Sequence, residues 1–142
     1  MAPEILLHKR YGRAVDWWSF GVFIYVMLFG RYPFSGDDEH EILEAIMSDA
    51  AQYPQNMPPE ISSIMKSLMH KNPARRLGGG VEDAAEVKQH PYFANIDWDA
   101  LYHKQINPPF MPNIVCLYTN YYRNRLLMCP ILILNLHRKS QI

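Results

Sequence analysis

The residues best suited to chemistry in this sequence are few and poorly grouped. Gly78-Gly79-Gly80 is a glycine triplet, but a phosphate cradle needs a following lysine and hydroxyl, and Val81-Glu82-Asp83 follows instead. That charge repels phosphate, so the triplet reads as a turn. Six histidines are scattered without a pair at helical metal-binding spacing, and no metal site is expected. Asp37-Asp38-Glu39 reads as the solvated start of a helix, and no Gly-x-Ser-x-Gly elbow presents a nucleophile. Cys116 and Cys129 have neither a metal nor a redox spacing, and they build no disulfide framework, which suits a cytoplasmic setting. Residue type and spacing therefore describe a helical domain without an evident active site.

The elements that would have to position any such residues are legible as helices. The run from Trp17 to Phe29 is apolar almost throughout, yet it falls short of the about 20 residues a bilayer span needs. Asp16 stands at its entrance and Arg31-Tyr32-Pro33 at its exit, which does not fit a secretory leader. A helix apolar on every side is stable in water only when other elements surround it, so this segment is expected to be the central post of a mainly α body. Asp38 and Glu41 read as a capping box for a helix to about Ser48, with Ile42, Leu43 and Ile46 on one face. Pro58-Pro59-Glu60 makes a good first turn, and Ile61, Ile64, Met65, Leu68 and Met69 then recur with helical period, ending before Asn72-Pro73. Asp83 and Glu86 suggest a second capping box for a short helix stopped by His90-Pro91. From Asn107 to Pro112 the prolines impose an extended chain.

Charge names no partner in bulk, because 14 Lys and Arg balance 14 Asp and Glu. Its distribution is uneven: every acidic residue precedes Val115, and the last 28 residues are basic. Arg123 and Arg125 are too small a footprint for nucleic acid, which is not expected as a partner.

Several motifs, taken together, carry a resemblance. Met1-Ala2-Pro3-Glu4, then Asp16-Trp17-Trp18 with Gly21, then Tyr32-Pro33-Phe34, then Asn72-Pro73-Ala74-Arg75-Arg76-Leu77-Gly78 follow one another in the order and spacing of the C-terminal lobe of a eukaryotic protein kinase. Ala-Pro-Glu is the element that closes the activation segment there. Asp97-Trp98, Pro108, Pro109, Phe110 and Pro112 resemble the start of the C-terminal tail of the AGC serine/threonine kinases. Within that group the wording is most similar to protein kinase B, with the protein kinase C-related kinases as near neighbours. The resemblance covers about residues 1 to 114. It implies a partial catalytic domain over 1–93, a tail segment over 94–114, and a divergent segment over 115–142 that reads as an alternative exon or translated intron.

The same resemblance implies roles. The apolar post corresponds to the central helix of the large lobe. Asp16 at its head would receive backbone N–H groups of the catalytic loop, where a carboxylate also suits the helix dipole. Glu4 and Arg76 correspond to a buried ion pair, with Ala2, Pro3, Trp18 and Gly21 in the surrounding support. None of these is catalytic. The whole kinase would use ATP and Mg and act on protein substrates, but phosphoryl transfer needs a glycine-rich loop, a strand lysine, a catalytic-loop aspartate and asparagine, and a metal-binding aspartate. Those motifs are not in these 142 residues. The chain is expected to be part of a longer kinase, without the N-lobe and catalytic loop, and inactive alone, with no cofactor of its own. The alternative is a non-catalytic module that binds protein partners through the surface around the Asp38–Ser48 helix.

Two departures bear on that carry-over. Where arginine-directed AGC kinases place a glutamate, this chain has Val26 in Ile24-Tyr25-Val26-Met27, and valine cannot pair with a guanidinium. After Ile114 the family tail gives way to an apolar, basic segment broken by Pro130. With one flank of its post uncovered, the isolated chain is expected to self-associate.

Overall fold

The structure, a computed structural model, describes residues 1–110 apart from Gln55. The chain divides into two compact units, Met1–Ala94 and Asn95–Ile142. The first contains α1 (Pro3–Leu6), α2 (Ala14–Phe29), α3 (Glu39–Ser48), α4 (Pro59–Leu68) and α5 (Ala84–Lys88), with 3-10 turns at Pro73–Arg75 and Pro91–Phe93. Among the described residues there is no strand. The second unit opens with α6 (Trp98–Tyr102).

The core of the first unit is the crossing of α2 and α4. α2 and α4 pack on one another, and Trp18, Ile24 and Tyr25 of α2 and Ile64, Met65 and Leu68 of α4 are fully buried. Gly21 makes the crossing possible. A Cβ at that position would stand 2.8 Å from Met69 Cγ and 2.9 Å from Leu68 Cβ, inside van der Waals contact, so only hydrogen lets the helices approach this closely. Tyr25 donates its hydroxyl hydrogen to the Gln52 carbonyl, so the loop after α3 is tied to the same core. Gly30, in the left-handed region at φ 66°, ends α2 with its N–H on the Val26 carbonyl.

The α4 expectation holds along its length: Ile61, Ile64, Met65, Leu68 and Met69 are all buried. The apolar post is instead two-faced. Ala14, Trp18, Gly21, Ile24 and Tyr25 form its buried stripe, while Asp16, Ser19 and Phe23 lie on its exposed side. Asp16 does not cap it, because Arg13 holds the cap position and Asp16 is the third helical residue. In α3 the Asp38 carboxylate accepts from Glu41 N–H at 2.8 Å, and Glu41 reaches back to Asp37 N–H, one residue earlier than the usual reciprocal pair. Its buried residue is Ala45, with Ile42, Leu43 and Ile46 half-buried.

The second capping box does not form. Asp83 takes a left-handed φ of 49° and makes no cap bond. Its carboxylate accepts instead from Trp17 Nε1 at 2.8 Å, and Glu86 accepts from Gly78 N–H at 2.9 Å. Both acids fasten the glycine turn rather than the helix. Gly78 has φ 79°, and its missing side chain leaves room for the Trp17 ring, whose nearest atoms would lie 2.6–2.7 Å from a Cβ.

In the second unit the Asp97 carboxylate caps α6 by accepting from Ala100 N–H at 2.9 Å, a helix the sequence reading does not foresee. Asn107, Pro108, Pro109 and Phe110 are non-helical. Met111, Pro112 and the divergent segment over 115–142, with both cysteines, lie outside the described residues.

Candidate functional site

Most of the residues that the sequence singles out converge on one buried guanidinium. α1 is four residues long, opened by Pro3 at its first position, and it turns Glu4 inward with Ala2 and Pro3 buried beside it. From the other end of the unit, the turn after α4 brings in Arg76, only 2% exposed. Arg76 Nη1 lies 2.6 Å from Glu4 Oε1 and Nη2 lies 2.9 Å from Glu4 Oε2, a bidentate pair.

A guanidinium has five N–H donors. Here each finds an acceptor: two go to Glu4, Nη1 also donates to the Ala14 carbonyl at 2.7 Å, Nη2 to Lys71 O at 3.4 Å, and Nε to His70 O at 3.0 Å. Among the described residues no buried side-chain nitrogen or oxygen lacks a partner. Burial pushes the Glu4 carboxyl up, but the Arg76 hydrogen bonds and charge outweigh it and hold the carboxyl below its ordinary range. A carboxylate and a guanidinium so completely satisfied have nothing left for a substrate. The arrangement is a lock among α1, the head of α2 and the end of α4.

Around this lock the aromatic rings carry further cations. Trp18 lies with its ring 5.2 Å from Arg76 Cζ and stacks on Phe34 at 5.7 Å between centroids. Lys71 Nζ stands 4.2 Å from the Phe34 centroid and 5.2 Å from that of Trp18. It also donates to the Ile46 carbonyl and, at 3.2 Å, to the Ala45 carbonyl, which the Asp49 N–H shares at the end of α3. Burial pulls the Lys71 ammonium down to about 8, against a smaller upward pull from Asp49. Sequence reasoning misses Lys71 altogether, since nothing about a lysine before Asn72-Pro73 shows that its stem is enclosed. His90 is held low by burial, and its Nδ1 accepts from Tyr92 N–H at 3.1 Å, which leaves Nε2 to carry the proton towards Ser63 Oγ at 3.0 Å.

Other singled-out residues stand apart. Asp16 is exposed and its carboxylate makes no hydrogen bond among the described residues. Val26 is half-buried on α2. Gly21 belongs to the α2–α4 crossing, and Pro108, Pro109 and Phe110 belong to the second unit. No grouping of three or more His, Cys, Asp or Glu that would hold a metal ion exists among the described residues, and no helix there is long and apolar enough to cross a membrane.

The comparisons agree with this picture. Residues 1–93 match the protein kinase domain family. A protein kinase C-like protein of Hypocrea jecorina is 55% identical over 114 residues, which is 80% of this chain and 10% of that relative. Protein kinase C-like 2 of Schizosaccharomyces pombe is 53% identical over the same length, 80% of this chain and 11% of its own. Serine/threonine-protein kinase N2 of Danio rerio is 51% identical over 114 residues, 80% of this chain and 12% of its own. The chain thus spans about a tenth of the length of these relatives. Its relatives carry the names of the near-neighbour group in the sequence resemblance, and the chain belongs to the protein kinase domain family, related within it to the protein kinase C-like enzymes and kinase N2.

Proposed function

We propose that this chain is the helical large-lobe portion of an AGC serine/threonine kinase, and that the whole protein transfers the γ-phosphate of ATP to protein serine or threonine. The observation that carries this reading is the family match over residues 1–93. In it, Glu4 and Arg76 hold the Ala2-Pro3-Glu4 element in place, Trp18 and Gly21 support that lock from α2, and Asp16 offers a free carboxylate to backbone N–H groups of a catalytic loop. Pro108, Pro109, Phe110 and Pro112 begin the tail that follows the domain. ATP supplies the phosphoryl group in the family and Mg its charge neutralisation. The described residues offer no metal-ligand grouping, so no step runs through either group here.

On this reading the chain alone transfers no phosphate. Incubation of the purified chain with radiolabelled ATP, Mg and a mixed Ser/Thr peptide pool should give no incorporation, and thermal melting should not shift with Mg-ATP. Saturable ATP binding displaced by a kinase inhibitor would refute it. Val26 removes one acceptor for a substrate arginine, so the whole kinase is expected to show a weakened preference for basic peptides, restored by Val26→Glu.

Three finer statements belong to the same proposal. The exposed side of α2, where Phe23 is 44% exposed, supports self-association of the isolated chain, which sedimentation velocity tests directly. Cytoplasmic residence is checked by imaging the tagged chain. A non-catalytic docking role for α3 has in its favour the half-buried Ile42, Leu43 and Ile46, and a pull-down with Leu43→Glu as the negative control decides it.

A further inference from the structure

The two 3-10 turns of the first unit share one plan. At Pro73–Arg75 and at Pro91–Phe93 a proline takes the first position, and the residue before it, in extended backbone, caps the turn by accepting from the N–H two residues on. Asn72 does this with its side-chain Oδ1, 3.0 Å from Ala74 N, and His90 with its ring Nδ1, 3.1 Å from Tyr92 N. The two acceptors differ in one chemical respect. An amide oxygen accepts at any ordinary pH, whereas an imidazole nitrogen accepts only while it carries no proton. Because a backbone N–H can only donate, the contact with Tyr92 also fixes the tautomer: Nδ1 is bare, and Nε2–H donates to Ser63 Oγ at 3.0 Å. Neutral His90 therefore closes its own turn and ties it to α4, the helix on which that turn packs.

A second proton would go to Nδ1 and set one N–H against another. The cap is then lost, since neither group can accept. What the turn holds in place is Phe93, only 2% exposed, and with Ala94 the first unit ends. The charges around the ring are of both signs. On α4, Glu60 and Lys66 stand one turn to either side of Ser63, both exposed. On the side of α5, Lys88 precedes His90 by two residues, and the Glu86 carboxylate is taken up by Gly78 N–H. Burial holds the His90 ring below its ordinary 6.5. The unfolded chain thus binds this proton more readily than the folded one. The contribution of the cap is complete above 6.5 and is lost as pH falls from there through the lower folded value.

We propose that His90 is an acid-released catch: neutral, it holds the Pro91–Phe93 turn shut against α4, and protonation of Nδ1 opens the turn and frees Phe93. The catch lies outside the Glu4–Arg76 lock and does not depend on the phosphoryl-transfer reading.

The test follows amide hydrogen exchange of the segment 89–94 in the full chain by mass spectrometry, at about pH 7 and about pH 5, the range over which an imidazole charges. After correction for the intrinsic exchange rate, protection should fall by up to about fivefold at the lower pH, the equilibrium worth of one capping bond. His90→Asn supplies the acceptor that Asn72 uses and takes no proton, so its protection should equal the parent's at the higher pH and stay level at the lower. Exchange of the ring C2 hydrogen of His90, the only histidine between positions 71 and 102, reports its protonation in the parent chain without any variant. Its midpoint should lie below 6.5. If His90→Asn loses its helical circular dichroism, the parent's protection and the ring midpoint decide by the same criteria. Equal protection of the parent at the two pH values, an equal fall in a folded His90→Asn chain, or a ring midpoint at or above 6.5 each overturns the proposal.

Discussion

Two polar fastenings hold the segment from His70 to Glu86, and they are built on opposite principles. The Arg76 lock is buried, ionic and saturated, with a carboxylate and three carbonyls around one guanidinium. The glycine-turn fastening spreads single bonds over two half-buried pairs, Trp17 with Asp83 and Gly78 with Glu86, and one exposed pair, Arg13 with Gly80. A buried ion pair contributes little over a well-packed apolar pair, yet losing one partner strands the other's charge. A half-buried neutral donor that loses its partner can turn to water. The first fastening is intolerant of partial damage; the second should lose strength by increments.

The sharpest way to break this comparison is to take one partner from each. Arg76→Met or Glu4→Gln should lower unfolding stability by about 3–5 kcal/mol. Denaturant melts of the family domain carrying these changes, and of the double variant, would show the double costing less than the two singles added. Acid should mimic Glu4→Gln. With the folded Glu4 carboxyl held below its ordinary 4.5, the contribution is complete above that value and is lost as pH falls through the lower folded one.

Trp17→Phe keeps the ring and deletes the indole donor, so it should cost about 1 kcal/mol, the net worth of one hydrogen bond. A loss as large as that from Arg76→Met would erase the distinction. Alkali probes the cation beside the lock instead. Lys71 titrates at about 8 when folded against 10.5 unfolded, so the unfolded chain binds more protons between those values and stability should rise across that window. Tyr53, pushed up to about 12 by burial and by Tyr25, reverses the trend between 10 and 12. Lys71→Met should abolish the rise while leaving the later fall in place.

Local signals were legible where the partner is close in sequence. α4 announces itself through five apolar residues with helical period and a proline first turn, and all five are buried. Asp38 and Glu41 are also local, and only the exact receiver of the Glu41 carboxylate differs. Asp83 and Glu86 show the opposite case. Their spacing is that of a cap, but Trp17, 66 residues earlier, competes for Asp83 and wins by offering a neutral donor in a less exposed place. Glu4 and Arg76 become a pair in the sequence only through the family resemblance, because no local pattern links positions 72 apart. Lys71 is illegible for a similar reason: its ring and carbonyl partners come from α2, α3 and the loop between them.

The reach of Arg76 along the chain also sets an order of events in time. α1 has only four residues, far below the length at which an isolated helix persists in water. Its inward-facing carboxylate meets its partner 72 residues later. At translation speeds of about 5–20 residues per second, Glu4 is made on the order of 4–14 s before Arg76. During that interval this short turn has no lock to hold it and stands open to chaperones and proteases. Protection of the loop after α1 from cleavage on the ribosome would therefore report arrival of the turn after α4, so the one serves as a clock for the other.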